Sequence, residues 1–190
     1  MKRALAVVAA ALTLASLPAA LEAGTGTVSF QAKAVVNAKC TIGKSGDLSF
    51  GTYDPLAAGV TSGSTTLNVS CTRNTGASIS ITTGGNFNSG LSSFNAALSN
   101  RRAMKRSGQA GAAVDGDLLA YDLWQPNGSG ASTQSGTLWG DGTSIVAVLS
   151  FAGAATKLTT TYTIFGEIPG GQDATPDPLF VDNVVATITF

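Results

Sequence analysis

The sequence predicts an all-β protein built as an antiparallel sandwich, and three observations carry that prediction. Gly, Ser, Thr, Asn and Ala are abundant while charged residues are few. Short alternating runs of apolar and polar residues are separated by turn-rich stretches, the pattern of half-buried strands joined by hairpins. After the first 23 residues there is no long i, i+3, i+4, i+7 apolar repeat such as a core-facing helix would need.

Met1 to Ala23 is expected to be a signal peptide. Lys2 and Arg3 form a positive start, Ala4 to Leu21 is apolar apart from Thr13, Ser16 and Pro18, and small residues lead to Ala23. No later apolar run approaches the roughly 20 residues of a spanning helix, so no membrane span is expected after cleavage. Removing the leader takes two of eleven basic and one of eleven acidic residues, leaving nine against ten. Such a charge-poor chain lacks the clustered Lys and Arg of a nucleic-acid surface.

The next stretch is the most informative. From Thr27 to Ile42 the even positions read Val28, Phe30, Ala32, Ala34, Val36, Ala38, Cys40 and Ile42, and the odd positions are polar except Val35. Period-two alternation marks a strand with one buried and one wet face. Sixteen residues would span roughly 50 Å, whereas strands usually stop at about ten residues. Either the run bends into two strands of one domain, or its first part pairs with something else.

Further strands are expected near 38–43, 47–51, 65–73, 77–83, 117–125, 144–151, 159–168 and 183–190, in addition to 27–36. Gly84 to Gly111 is the least regular part and is expected to form a long loop or a loosely attached hairpin. Asn127-Gly-Ser-Gly130 reads as a hairpin tip. Tyr53, Tyr121, Trp124, Trp139, Tyr162 and Phe165 lie in or beside strands and should supply much of the core, although the weak alternation of Tyr121 to Trp124 leaves one aromatic for the outer face.

Cys40 and Cys71 are the only cysteines. In an exported chain an even count predicts a disulfide, here with one connectivity. Cys71 shares the parity of Leu67 and Val69, so both sulfurs should face inward.

Catalytic candidates are sparse. There is no histidine, which removes the commonest general base and metal ligand. Asp115-Gly-Asp117 is half of a calcium loop without its downstream ligands. Asp54 and Asp141 suit turns, and nothing in the sequence pairs Asp141 with Glu167. We therefore expect no enzyme activity, cofactor or metal. The alternation Val184, Ala186, Ile188 and Phe190 closes the chain, and a partner could read that strand edge.

Several segments together resemble the spore coat U domain, the fold of subunits of archaic (Csu-type) chaperone–usher pili. They are Cys40; Leu48-Ser-Phe50-Gly-Thr-Tyr53-Asp-Pro55; Val69-Ser-Cys71-Thr; Arg102-Ala-Met104; Leu119-Ala-Tyr121-Asp-Leu; Leu138-Trp-Gly-Asp-Gly142; Phe165-Gly-Glu-Ile-Pro-Gly-Gly-Gln172; and Val181 to Phe190. One departure is Thr175-Pro-Asp-Pro-Leu-Phe180-Val before Asp182, where the family usually has a glycine and an aromatic.

The resemblance implies an incomplete immunoglobulin-like antiparallel sandwich, a pilin fold lacking its last strand and completed by a donor strand. It implies three parts: signal peptide 1–23, N-terminal donor extension 24–36, and pilin domain 37–190. Val28, Phe30, Ala32, Ala34 and Val36 would be the donor side chains. Val184, Ala186, Ile188 and Phe190 would form the strand that pairs with a periplasmic chaperone. An outer-membrane usher and neighbouring copies of the chain or related pilins would be the other partners. The product would be an adhesive, biofilm-supporting pilus at the cell surface. The alternative is a secreted coat or surface protein whose spore coat U domain complements itself.

Overall fold

A computed structural model describes residues 24–87, 101–111, 113–114, 116–129 and 132–190. The expected signal peptide and Asp115 lie outside these residues, as does 88–100 within the expected 84–111 loop. The chain divides into two units between Val35 and Val36. In the first, residues 24–35 form no strand and their side chains are exposed. The strand expected at 27–36 is therefore absent from the single chain. Alternation predicts which face a strand would bury, but a strand also needs a neighbouring edge for its N–H and C=O groups.

The second unit is all antiparallel β, with no helix among the described residues. Its strands are β1 (Cys40–Lys44), β2 (Thr61–Cys71), β3 (Ala77–Ile81), β4 (Arg102–Arg106), β5 (Leu118–Pro126), β6 (Gln134–Leu138), β7 (Leu149–Phe151), β8 (Thr159–Ile168), β9 (Phe180–Val181) and β10 (Ala186–Thr189). One sheet runs β1-β2-β8-β5-β4-β9, with β6 also on β5; the other runs β10-β3-β7. The longest ladder joins β2 to β8, from Thr61 opposite Ile168 to Ser70 opposite Thr159.

Both sheets face one core. Ile79 and Ile81 come from the smaller sheet, and Leu67, Val69, Met104, Leu119, Tyr121, Leu123, Tyr162, Ile164 and Ile168 from the larger. Full burial of each large aliphatic among them is worth about 1.5–3 kcal/mol. Trp139 is completely buried and its indole N–H donates to the Ile79 carbonyl at 2.8 Å, which satisfies the one polar atom that burial strands.

Several sequence expectations change. Residues 47–51 form no ladder, because Leu48 and Phe50 are used as plugs at the core margin instead of strand partners. Phe50 meets Tyr121 edge-on at 5.8 Å. Gly166 makes this possible, since a Cβ there would sit 2.7 Å from both the Leu48 and Phe50 side chains. The 144–151 strand shortens to Leu149–Phe151, because Asp141 folds the preceding residues into a turn.

The supposed loop at 84–111 contains β4, paired with β5 from Arg102 opposite Tyr121 to Lys105 opposite Leu118. Its charged residues hid it. β6 and β9 were also unpredicted, β6 being a mostly exposed strand and β9 only two residues long. Tyr121, Trp139 and Tyr162 are core, while Trp124 and Phe165 lie opposite each other on β5 and β8 outside the core cluster. Where β5 passes into β6 the Asn127 N–H donates to the Thr133 carbonyl; Gly130 of the expected hairpin tip lies outside the described residues.

Candidate functional site

The candidate site is the seam where the two sheets end beside each other. β1 ends the larger sheet and β10 ends the smaller. The two strands come within 8 Å of each other, yet neither is the other's ladder partner. Among the described residues, each thus presents one backbone edge without a strand beside it. Under those edges lie Ile42 from β1 and Ala186 and Ile188 from β10, packed against the core but only partly buried. Apolar side chains beneath an open edge are what an added strand would cover.

β1 is held from the other side. Cys40 and Cys71 face each other in the ladder and are disulfide-bonded, as the sequence predicted. Thr72 donates its backbone N–H to the Lys39 carbonyl at 2.8 Å and accepts from the Lys39 N–H on its hydroxyl at 3.1 Å.

β10 pairs with β3, from Ala186 opposite Ile81 to Thr189 opposite Ser78. Ala186 and Ile188 turn toward the core, whereas Val184 and Phe190 at the ends are exposed. The segment before β10 is tied down by polar groups. Asp182 accepts from the Tyr121 hydroxyl at 2.8 Å and from the Gly85 N–H at 2.9 Å. Burial first, then the Asp182 charge, raises the Tyr121 hydroxyl far above the ordinary phenol value, so it stays a donor. The Pro-containing segment before it is ordered by Asp177, which accepts from the Leu179 N–H at 3.0 Å.

Beneath this lies Arg102, fully buried on β4. Its Nε donates to the Thr82 carbonyl at 2.8 Å, and its Nη2 to the Ile81 and Trp139 carbonyls at 2.9 and 2.7 Å. Nη1 has no partner. Burial lowers the guanidinium's pKa, opposed by the Asp182, Asp122 and Asp141 charges, and an arginine remains charged through such a shift. Gln172 does similar work at the far margin. Its side-chain amide accepts from the Ala120 N–H at 2.7 Å and donates to the Ala120 carbonyl at 2.9 Å, imitating a strand residue. Its own N–H donates to the Tyr53 hydroxyl at 2.7 Å.

The acidic candidates are engaged elsewhere. Asp54 accepts from the Leu56 N–H. Asp141 accepts from the Thr143 and Ile145 N–H groups; burial pushes its pKa up, but these bonds hold it below the usual value. Glu167 accepts from the Gln134 side chain, and the buried Asp117 is paired with Arg106. Among the described residues no group of three or more His, Cys, Asp or Glu is placed to hold a metal. Trp124 lines a shallow surface depression with Leu138, Ser144 and Val146. Of the proposed donor residues, Val28, Phe30 and Val36 are 86–90% exposed, and Ala32 and Ala34 are exposed as well.

Residues 26–187 match the Spore Coat Protein U domain. The chain belongs to the spore coat U family. Its relative Protein U of Myxococcus xanthus is 34% identical over 199 residues, covering 100% of this chain and 98% of that protein. Among solved structures, the family fold recurs in the CsuC–CsuE chaperone–tip adhesion subunit pre-assembly complex from archaic chaperone–usher Csu pili of Acinetobacter baumannii. That likeness has a TM-score of 0.50 and 21% identity, over 82% of this chain and 40% of that one. It supports the immunoglobulin-like, pilin-type reading of the spore coat U sandwich. Tyr121, Asp182, Arg102 and Gln172 all lie in segments that carry the family resemblance in the sequence. Their polar roles were not legible in the sequence.

Proposed function

We propose that this chain is an exported structural subunit of a chaperone–usher pilus that polymerises by donor-strand exchange. The observation that carries the reading is the pair of adjacent open edges, β1 and β10, above the partly buried Ile42, Ala186 and Ile188. A periplasmic chaperone would first cover this seam by pairing with Val184 to Phe190. At the outer-membrane usher, residues 24–36 of a neighbouring copy or related pilin would replace it.

The donor's Val28, Phe30, Ala32, Ala34 and Val36 would enter successive pockets, with main-chain bonds supplying affinity and alternate side chains specificity. Burying Phe30 and the two valines contributes about 1.5–3 kcal/mol each. The two alanines call for shallow pockets in the middle. On this reading the domain starts near residue 37, the fibre supports adhesion and biofilm formation at the cell surface, and the subunit is not an enzyme. Phe30→Asp should abolish polymerisation while the chaperone-bound subunit stays folded; undiminished fibre yield would refute the proposed register.

A second reading is favoured by the near-complete coverage of Protein U: a secreted coat protein whose own residues 24–36 complete its domain. A chain lacking residues 24–36, mixed with a peptide of that sequence, separates the two. Tight pairing in trans supports exchange, whereas an intact chain that remains a stable monomer supports self-complementation.

A further inference from the structure

An acceptor edge works only if it is in place before the incoming strand arrives. β10 has just four paired residues on β3, and short ladders at a sheet margin fray readily. What lies immediately before it is more substantial. The Asp182 carboxylate bridges both sheets: one oxygen takes the Tyr121 hydroxyl of β5, and the other takes the Gly85 N–H just past β3. Three residues on, Val185 donates its N–H to the Thr82 hydroxyl at 2.9 Å, and its carbonyl accepts from the Thr82 N–H at 3.0 Å. Gly84 completes the arrangement. Its φ is +80°, and a Cβ there would lie 1.9 Å from the Asp182 carboxylate, so a side chain at 84 and the carboxylate cannot share that space.

We infer that Tyr121, Asp182 and Gly84 form a latch that holds β10 in register and thereby keeps the strand-acceptor edge ready. They are positioning residues and need not touch the incoming strand. The latch joins β5 of the larger sheet to the end of β3 in the smaller one, so it also fixes how the two sheets meet at that margin. Its geometry stands on the bonds above; its consequence for assembly rests on the donor-strand reading.

Hydrogen exchange followed by mass spectrometry tests it, on the exported chain with its disulfide intact. In Asp182→Ala the peptide covering 183–190 should exchange about tenfold faster or more, as expected for losing charge-assisted bonds. Peptides from β2 and β8 should be unchanged. Gly84→Ala should reproduce the effect, and combining it with Asp182→Ala should add little, since both disrupt one arrangement. Tyr121→Phe keeps the ring against Phe50 and tests the single bond if the other variants fold poorly. Unchanged exchange at 183–190 in Tyr121→Phe, or equal acceleration in every peptide, would overturn the latch. Chaperone capture should fall in the order of β10 loosening. If β10 loosens as expected while the wild-type chain never pairs with a chaperone or donor, the latch stands and the pilus reading fails.

Discussion

The two strands bordering the open seam are secured by opposite means. β1 is tied covalently, through the Cys40–Cys71 bridge, to a strand whose long ladder with β8 anchors it in the larger sheet. β10 belongs to a three-stranded sheet and has no covalent tie; besides the packing of Ala186 and Ile188 it is secured by hydrogen bonds, with Asp182, Tyr121, Thr82 and the buried Arg102 arranged around its approach. A disulfide limits the unfolded chain as well as the folded one, while a polar network acts only when every member is in place. One border is therefore robust and the other conditional.

The largest effect should come from the conditional side. Arg102→Leu leaves the Ile81, Thr82 and Trp139 carbonyls short of a donor and, at about 1–3 kcal/mol for each stranded group, is expected to cost more than about 4 kcal/mol, measured by chemical denaturation. A smaller loss than Cys40→Ser with Cys71→Ser would reverse the ranking of the two borders. That double cysteine variant should lose about 3–4 kcal/mol in the chain-entropy view. Reductant should weaken the wild type by a similar amount and leave the variant unmoved.

Acid offers a test that the covalent border cannot feel. The Val114 N–H, then Arg106, outweigh burial and hold Asp117 below its ordinary value of 3.8. A depressed folded-state pKa contributes stability above the unfolded value, and that contribution disappears as pH falls through the folded one. Stability should therefore drop below about pH 4, and Asp117→Asn should remove part of that drop in acid titrations followed by circular dichroism. The smallest effect expected is Thr82→Val, which deletes the hydroxyl that Val185 bonds. It should cost about 1 kcal/mol and show chiefly as faster exchange in 183–190.

Much of the fold was legible because its signal is local. Cys40, Ile42, Leu67, Val69 and Cys71 alternate, and that parity alone placed both sulfurs inward on paired strands. β8 was readable end to end for the same reason. β4 was not, because Arg102, Lys105 and Arg106 read as surface while Arg102 is buried and bonded to carbonyls of the other sheet's end. Leu48 and Phe50 alternate like a strand but pack as plugs, which depends on the space left at Gly166.

By itself the sequence determined the strand faces, the disulfide, the family resemblance and the exposed-or-inserted choice posed by the alternating run from Thr27 to Ile42. These follow from side-chain periodicity, which each residue carries with it. Only the tertiary structure decided that β1 and β10 end their sheets side by side, and that Tyr121, Gly84 and Asp182 meet. Both depend on contacts between residues far apart in the chain, where hydrogen-bond geometry and available volume select partners that no local pattern encodes.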